Sequence, residues 1–132
     1  MRPATVWCDQ GAWFGLDRRR VLAVMREPVI VGVPGAPPWV RGVANRFGRA
    51  VPVIDCGVLA GAVAELASCG QTLVVPVDGG EIALVAAGVL SERSVALGGE
   101  HEGFFDRPAD RDGLRMIDLL RLAAAIEAAL GA

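Results

Sequence analysis

The side chains with the clearest chemical potential in this sequence are one histidine, three cysteines and three widely spaced aspartates. His101 is the sole imidazole, so neither a histidine-based triad nor a two-histidine metal site can be assembled within one chain. It reads as a solvated loop residue. Cys8, Cys56 and Cys69 are odd in number, lack CxxC spacing and sit among apolar neighbours, which predicts three buried, reduced thiols. Around Cys56 and Cys69 neither a histidine nor a clear helix N-terminus is at hand to make a thiolate. Asp17, Asp55 and Asp118 fall at the ends of predicted elements, where capping and turn roles account for them without a working carboxylate pair. No GxxxxGK[ST] loop occurs, and no GxGxxG follows a strand. An enzyme is not expected, and neither is a cofactor.

The elements that would position any other kind of site follow from length and pattern. The 132 residues suit one domain over 1–132, with no room for a second independent one. Hydrophobic residues make up 53%, enough for a generous core or for apolar surface kept for partners. The 13 basic residues are all arginine and are outweighed by 15 acidic ones, so nucleic acid gains no general electrostatic help. The cluster Arg18, Arg19 and Arg20 reads as a solvated face beside Asp17, with room for an acidic protein partner. No signal peptide is legible, and Asp, Glu, Arg, Gly and Pro interrupt every apolar run well short of a membrane span. Together with the reduced thiols this predicts a cytoplasmic protein without direct membrane insertion.

Residues 5–8 and 12–16 read as an opening hairpin around a turn at 9–11. Asp17 is expected to cap a short helix near residues 17–26, with Val21, Leu22 and Met25 at helical spacing and Pro28 ending it. Residues 29–33 form a β-branched run and 34–38 a rigid loop. Residues 39–44 and 49–54 read as strands joined by Asn45, Arg46, Phe47 and Gly48, a hairpin whose tip carries Arg46 and Phe47 outward while Gly48 supplies a positive φ. Residues 57–66 suggest a loop with a helical turn. Residues 71–77 and 81–87 around Asp78-Gly79-Gly80 give the clearest hairpin, in which Pro76 marks an edge or a bulge. Residues 91–111 are polar and irregular apart from Phe104 and Phe105. A short strand over 114–117 precedes a terminal helix capped by Asp118, with Leu119, Leu122, Ala123, Ile126 and Leu130 on one apolar face.

One constellation is more specific than these elements. Val33, Pro34, Pro37, Val40, Gly42, Val43, Asn45, Gly48, Val51, Pro52, Val53, Ile54 and Asp55 fall in an order and spacing that resemble the signature of the CheW-like domain of bacterial chemosensory coupling proteins. Residues 6–24, 73–89 and 114–122 are similar to other parts of that family, more weakly. The resemblance implies a mainly β fold of two small five-stranded SH3-like barrels sharing a core, with the short helix and the C-terminal helix added. It also implies a non-enzymatic adaptor in chemotaxis or motility. Its partners would be the cytoplasmic tip of a methyl-accepting chemoreceptor, and the regulatory domain of a CheA-type histidine kinase or another CheW-like protein. Val33, Val43, Asn45, Arg46, Phe47, Gly48, Val51 and Ile54 are the expected partner-binding residues, although Val43, Val51, Val53 and Ile54 alternate with the pleat and at least half of them must be core.

Two departures from the family pattern carry consequences. Where the family reads Asn-Leu-Arg-Gly, this chain has Asn45-Arg46-Phe47-Gly48, and a one-residue shift on a strand reverses the face a side chain occupies. The stretch from Val95 to Phe104 is also shorter than its family counterpart. Both point to an adaptor that keeps receptor binding while kinase binding is weakened or altered. The competing reading is a self-assembling structural β-barrel protein that pairs through its C-terminal helix.

Overall fold

In the computed structural model the described residues are 2–62, 70–96, 100–107 and 113–131. The chain opens with β1 (Arg2–Asp9) and β2 (Ala12–Asp17), an antiparallel hairpin in which Trp7 pairs with Phe14. After a single 3-10 turn at Arg18–Arg20 come β3 (Ala23–Arg26), β4 (Ile30–Val31), β5 (Val40–Arg46) and β6 (Arg49–Asp55). The short helix α1 (Cys56–Leu59) leads to the hairpin β7 (Gln71–Val77) and β8 (Gly80–Val85). The rest comprises β9 (Ser91–Val95), β10 (Glu100–Glu102), β11 (Phe105–Arg107), β12 (Arg115–Ile117) and α2 (Leu119–Leu130).

These strands make two sheets. One runs β10-β11-β12-β2-β1-β9 and the other β3-β7-β8-β6-β5-β4, so each has six strands among the described residues rather than the expected five. The extra members are very short edge strands. In the second sheet β3 and β4 lie at opposite edges, yet Met25 and Ile30 pack on one cluster with Val51, Val53, Ala83 and Val85. The sheet therefore curls around a small core of its own. The first sheet encloses Ala4, Val6, Val95 and Leu114 in the same way.

A third and larger cluster joins the two. Trp7, Phe14 and Leu16 from the first sheet meet Ile54, Leu73, Ile82 and Leu84 from the second. Strict alternation produces this arrangement: Val51 and Val53 face their own sheet's core and Ile54 the shared one, while Ala83 and Ile82 divide likewise on β8. The parallel pair β6 and β8 is covered on both faces, which is why both read as nearly unbroken apolar runs. α2 closes the seam by burying Leu122 and Ile126. Its ends are conventional: the Asp118 carboxylate accepts from the Arg121 amide at 3.2 Å, and Gly131 ends the helix in the left-handed region at φ +67°.

Several expectations need correction. The helix near 17–26 contracts to the 3-10 turn, where Asp17 accepts from the Arg19 amide at 3.0 Å. Residues 23–26 are strand because their backbone pairs with β7, and burial alternates along them with period two. The stretch taken as irregular contains β9, β10 and β11, and His101 lies on β10 opposite Asp106 rather than in a loop. The shortened stretch lies partly outside the described residues, at 97–99, and so does Cys69. Cys56 is buried and Cys8 only half-buried. Pro76 sits beyond the last β3 rung at Val74, which makes it a local edge. Among the described residues no helix is long and apolar enough to cross a membrane, and no three His, Cys, Asp or Glu side chains cluster as metal ligands.

Candidate docking surface

The β5–β6 hairpin is shaped by two glycines. Gly42 sits at a register shift between Val40 and Ile54 on one side and Val53 on the other, with φ +141°. A Cβ there would lie 2.3 Å from the carbonyl oxygen of Val31, so only glycine lets β4 close on β5. At the tip, Phe47 and Gly48 both have positive φ, +51° and +80°, the signature of a type I′ turn. The Asn45 side-chain oxygen accepts from the Gly48 amide at 2.9 Å and holds that turn.

Phe47 is an unusual occupant. The left-handed region costs a bulky residue about 1–2 kcal/mol, and its ring recovers little by burial, being 91% exposed. It nevertheless has one neighbour. The Arg46 guanidinium lies 4.8 Å from the ring centroid, and one of its nitrogens donates to both oxygens of Glu81 at 2.7 and 2.9 Å. Arg46 is thus mostly buried and directed at β8, not outward beside Phe47 as expected. Arg49, directly opposite Arg46 across the ladder, is exposed and has no such partner among the described residues.

Beside this tip a groove of about 570 Å³ opens at the seam between the sheets. Pro52 and Ile82 contribute from the seam-facing side of the second sheet, with Val77 from the β7–β8 hairpin. The opposite wall is α2, through Leu119, Leu120 and Ala123. Leu120 is 83% exposed, an apolar side chain that the described residues leave uncovered. Asp78 and Glu127 stand on the rim, with Arg20 at one side. The groove continues toward the sheet edge along Pro52, Val43 and the exposed Val31, which are cross-strand neighbours on one face.

The eight residues expected to bind partners divide accordingly. Phe47 and Gly48 form the exposed tip, and Asn45 builds its turn. Val43 is half-buried on the seam-facing side. Val33 is half-buried in the loop before β5, where its carbonyl accepts from the Ala36 amide at 3.2 Å. Val51 and Ile54 are 1% and 0% exposed, in the sheet core and the shared core, so they support the surface from behind and cannot touch a partner. Glu81, Leu119 and Leu120 were not anticipated. For Leu120 a signal existed: Leu120 and Ala124 repeat at helical spacing on a face of α2 that its main apolar stripe does not use.

The remaining reactive groups are occupied structurally. Burial, with Asp55 and Asp9 nearby, pushes the Cys56 thiol far above its ordinary range. Asp55 accepts from the Val58 amide at 3.1 Å and from Arg41 at 2.9 Å, a cap and an inward ion pair together. Arg19 beside Asp17 holds that carboxyl below the usual range.

The family model for the CheW-like domain matches residues 8–101. Protein PilI of Pseudomonas aeruginosa is 38% identical over 66 residues, which are 49% of this chain and only 37% of that relative's length. The crystal structure of scaffolding protein TtCheW from Thermoanaerobacter tengcongensis aligns with a TM-score of 0.69 at 20% identity, covering 88% of both chains. That likeness shows the two-sheet fold.

Proposed function

We propose that this chain, which belongs to the CheW-like domain family, is a cytoplasmic adaptor that docks a helix of a chemoreceptor's cytoplasmic tip in the groove between its two sheets. The observation that carries this reading is the groove itself: an apolar channel walled by α2 and floored by the seam-facing strands, with an uncovered leucine along it. An amphipathic helix suits such a channel, because residues spaced three and four apart present one apolar stripe to it. Docking is an equilibrium between surfaces and involves no chemical step.

Coupling to the regulatory domain of a CheA-type histidine kinase is the part of the family role that this chain alters. Arg46 is held by Glu81 and covered by Phe47, so its guanidinium is not free for an outside partner. An aromatic ring stands at the tip instead. Titrating the purified protein against a receptor tip fragment and against the kinase domain tests the reading. Receptor binding with weak or absent kinase binding is expected, and tight kinase binding without receptor binding would overturn it. Phe47→Asp is expected to abolish one of the partner contacts and leave the fold intact. Full retention of both would remove the tip from the mechanism.

A further inference from the structure

The tip and the groove carry opposite charges, and they lie side by side. β6 and β8 are parallel, so the turns that precede them, at Phe47-Gly48 and at Asp78-Gly79, emerge at the same end of the sheet. The tip offers an exposed phenyl ring and the cation of Arg49, which has no ion-pair partner among the described residues. The groove offers Leu119, Leu120 and Val77 inside, with the exposed carboxylates of Asp78 and Glu127 on its rim. Among the described residues neither carboxylate has an ion-pair partner. The ring does not line its own groove; it lies against the Arg46 guanidinium, which is bonded to Glu81.

We infer that two copies of this chain pair reciprocally, with the Phe47 ring of each in the groove of the other and Arg49 facing the partner's acidic rim. A tip adjacent to a groove on one surface makes that surface self-complementary, so a single two-fold axis satisfies both contacts and leaves no open end to propagate. Aromatic rings and arginines are the residues that concentrate at such contacts. The pairing covers the Leu120 side of α2, which the fold itself leaves bare. It does not depend on a receptor helix using the same groove, though the two occupants would exclude each other.

Sedimentation equilibrium across a concentration series tests this with three samples: the wild type, Phe47→Asp and Leu120→Glu. Both substitutions fall on exposed side chains, and circular dichroism checks that the fold is kept. The wild type is expected to reach a dimer, and each variant alone is expected to stay monomeric. An equimolar mixture of the two variants is expected to recover association, because each heterodimer keeps one intact tip in one intact groove. Arg49→Glu should weaken the wild-type dimer a few-fold, and adding Asp78→Arg with Glu127→Arg should restore it. A wild type that stays monomeric, or a dimer that Leu120→Glu breaks and Phe47→Asp leaves untouched, overturns the proposal.

Discussion

The β1–β2 and β5–β6 hairpins use the same kind of turn for different ends. Gln10-Gly11 and Phe47-Gly48 both place two consecutive residues at positive φ, with angles that agree within a few degrees. Both put an unfavoured residue where Asn, Asp or Gly would be easiest. Gln10 is polar, exposed and unremarkable there. Phe47 presents a large apolar ring to solvent and is supported from below by Arg46 and Glu81. Since the turn alone is satisfied by glutamine in one sheet, turn geometry does not require phenylalanine in the other. The ring and its support are features of a surface, and the β1–β2 hairpin is the internal control.

The largest effect that separates the two hairpins is expected at Gly42. Gly42→Ala combines a positive-φ position with a backbone clash at 2.3 Å, and should destabilise by at least about 3 kcal/mol in denaturant unfolding. Gly11→Ala and Gly48→Ala, with open space around the added methyl, should each cost only about 1 kcal/mol. Equal losses at all three would mean that the bulge at β5 is not what fixes that hairpin. Next in size is Arg46→Ala, which leaves Glu81 partly buried without its cation and should cost about 1–2 kcal/mol. It should also let the Phe47 ring reorient freely, seen as narrowed and averaged aromatic resonances. A rigid ring in that variant would show that the guanidinium is not its support.

Smaller still is a matched pair at the turns. Gln10→Asn should raise stability by about 0.5 kcal/mol, since asparagine tolerates the left-handed region better. Phe47→Asn gains the same and loses the cation–π contact, roughly 0.5–1 kcal/mol, so its stability should hardly change while partner binding falls. The slightest effect lies at Asp17, whose carboxyl Arg19 holds below its ordinary pKa. A depressed folded-state pKa adds stability above the unfolded value and loses it as pH falls through the folded one. Asp17→Asn should therefore cost a little at neutral pH and nothing in strong acid, as read from unfolding midpoints across the acidic range.

What was legible in the sequence follows from how local each signal is. The hairpins β1–β2, β5–β6 and β7–β8 and the capped helix α2 rest on turn residues, alternation and caps within a few positions, and all appear where expected. The helix over 17–26 failed because Val21, Leu22 and Met25 satisfy helical spacing by coincidence. The deciding contact, the Leu22 amide donating to the Val74 carbonyl at 2.8 Å, comes from far along the chain. β9, β10 and β11 were missed because short, polar strands toward the sheet's edges carry no apolar alternation. At the site, Phe47 and Gly48 were legible from the turn. Arg46 was placed outward because nothing local points to Glu81, which lies 35 residues away. Val51 and Ile54 matched the family order, yet that order records core positions as faithfully as contacts.

The groove is the part of the account on which the rest depends, and calorimetric titration of a receptor cytoplasmic tip fragment into the wild type and into Leu120→Glu tests it most directly. Saturable binding to the wild type is expected, with at least a tenfold loss in the variant, about 1.4 kcal/mol or more, and an unchanged unfolding midpoint. Equal affinity in both proteins, or no binding to either, would contradict it.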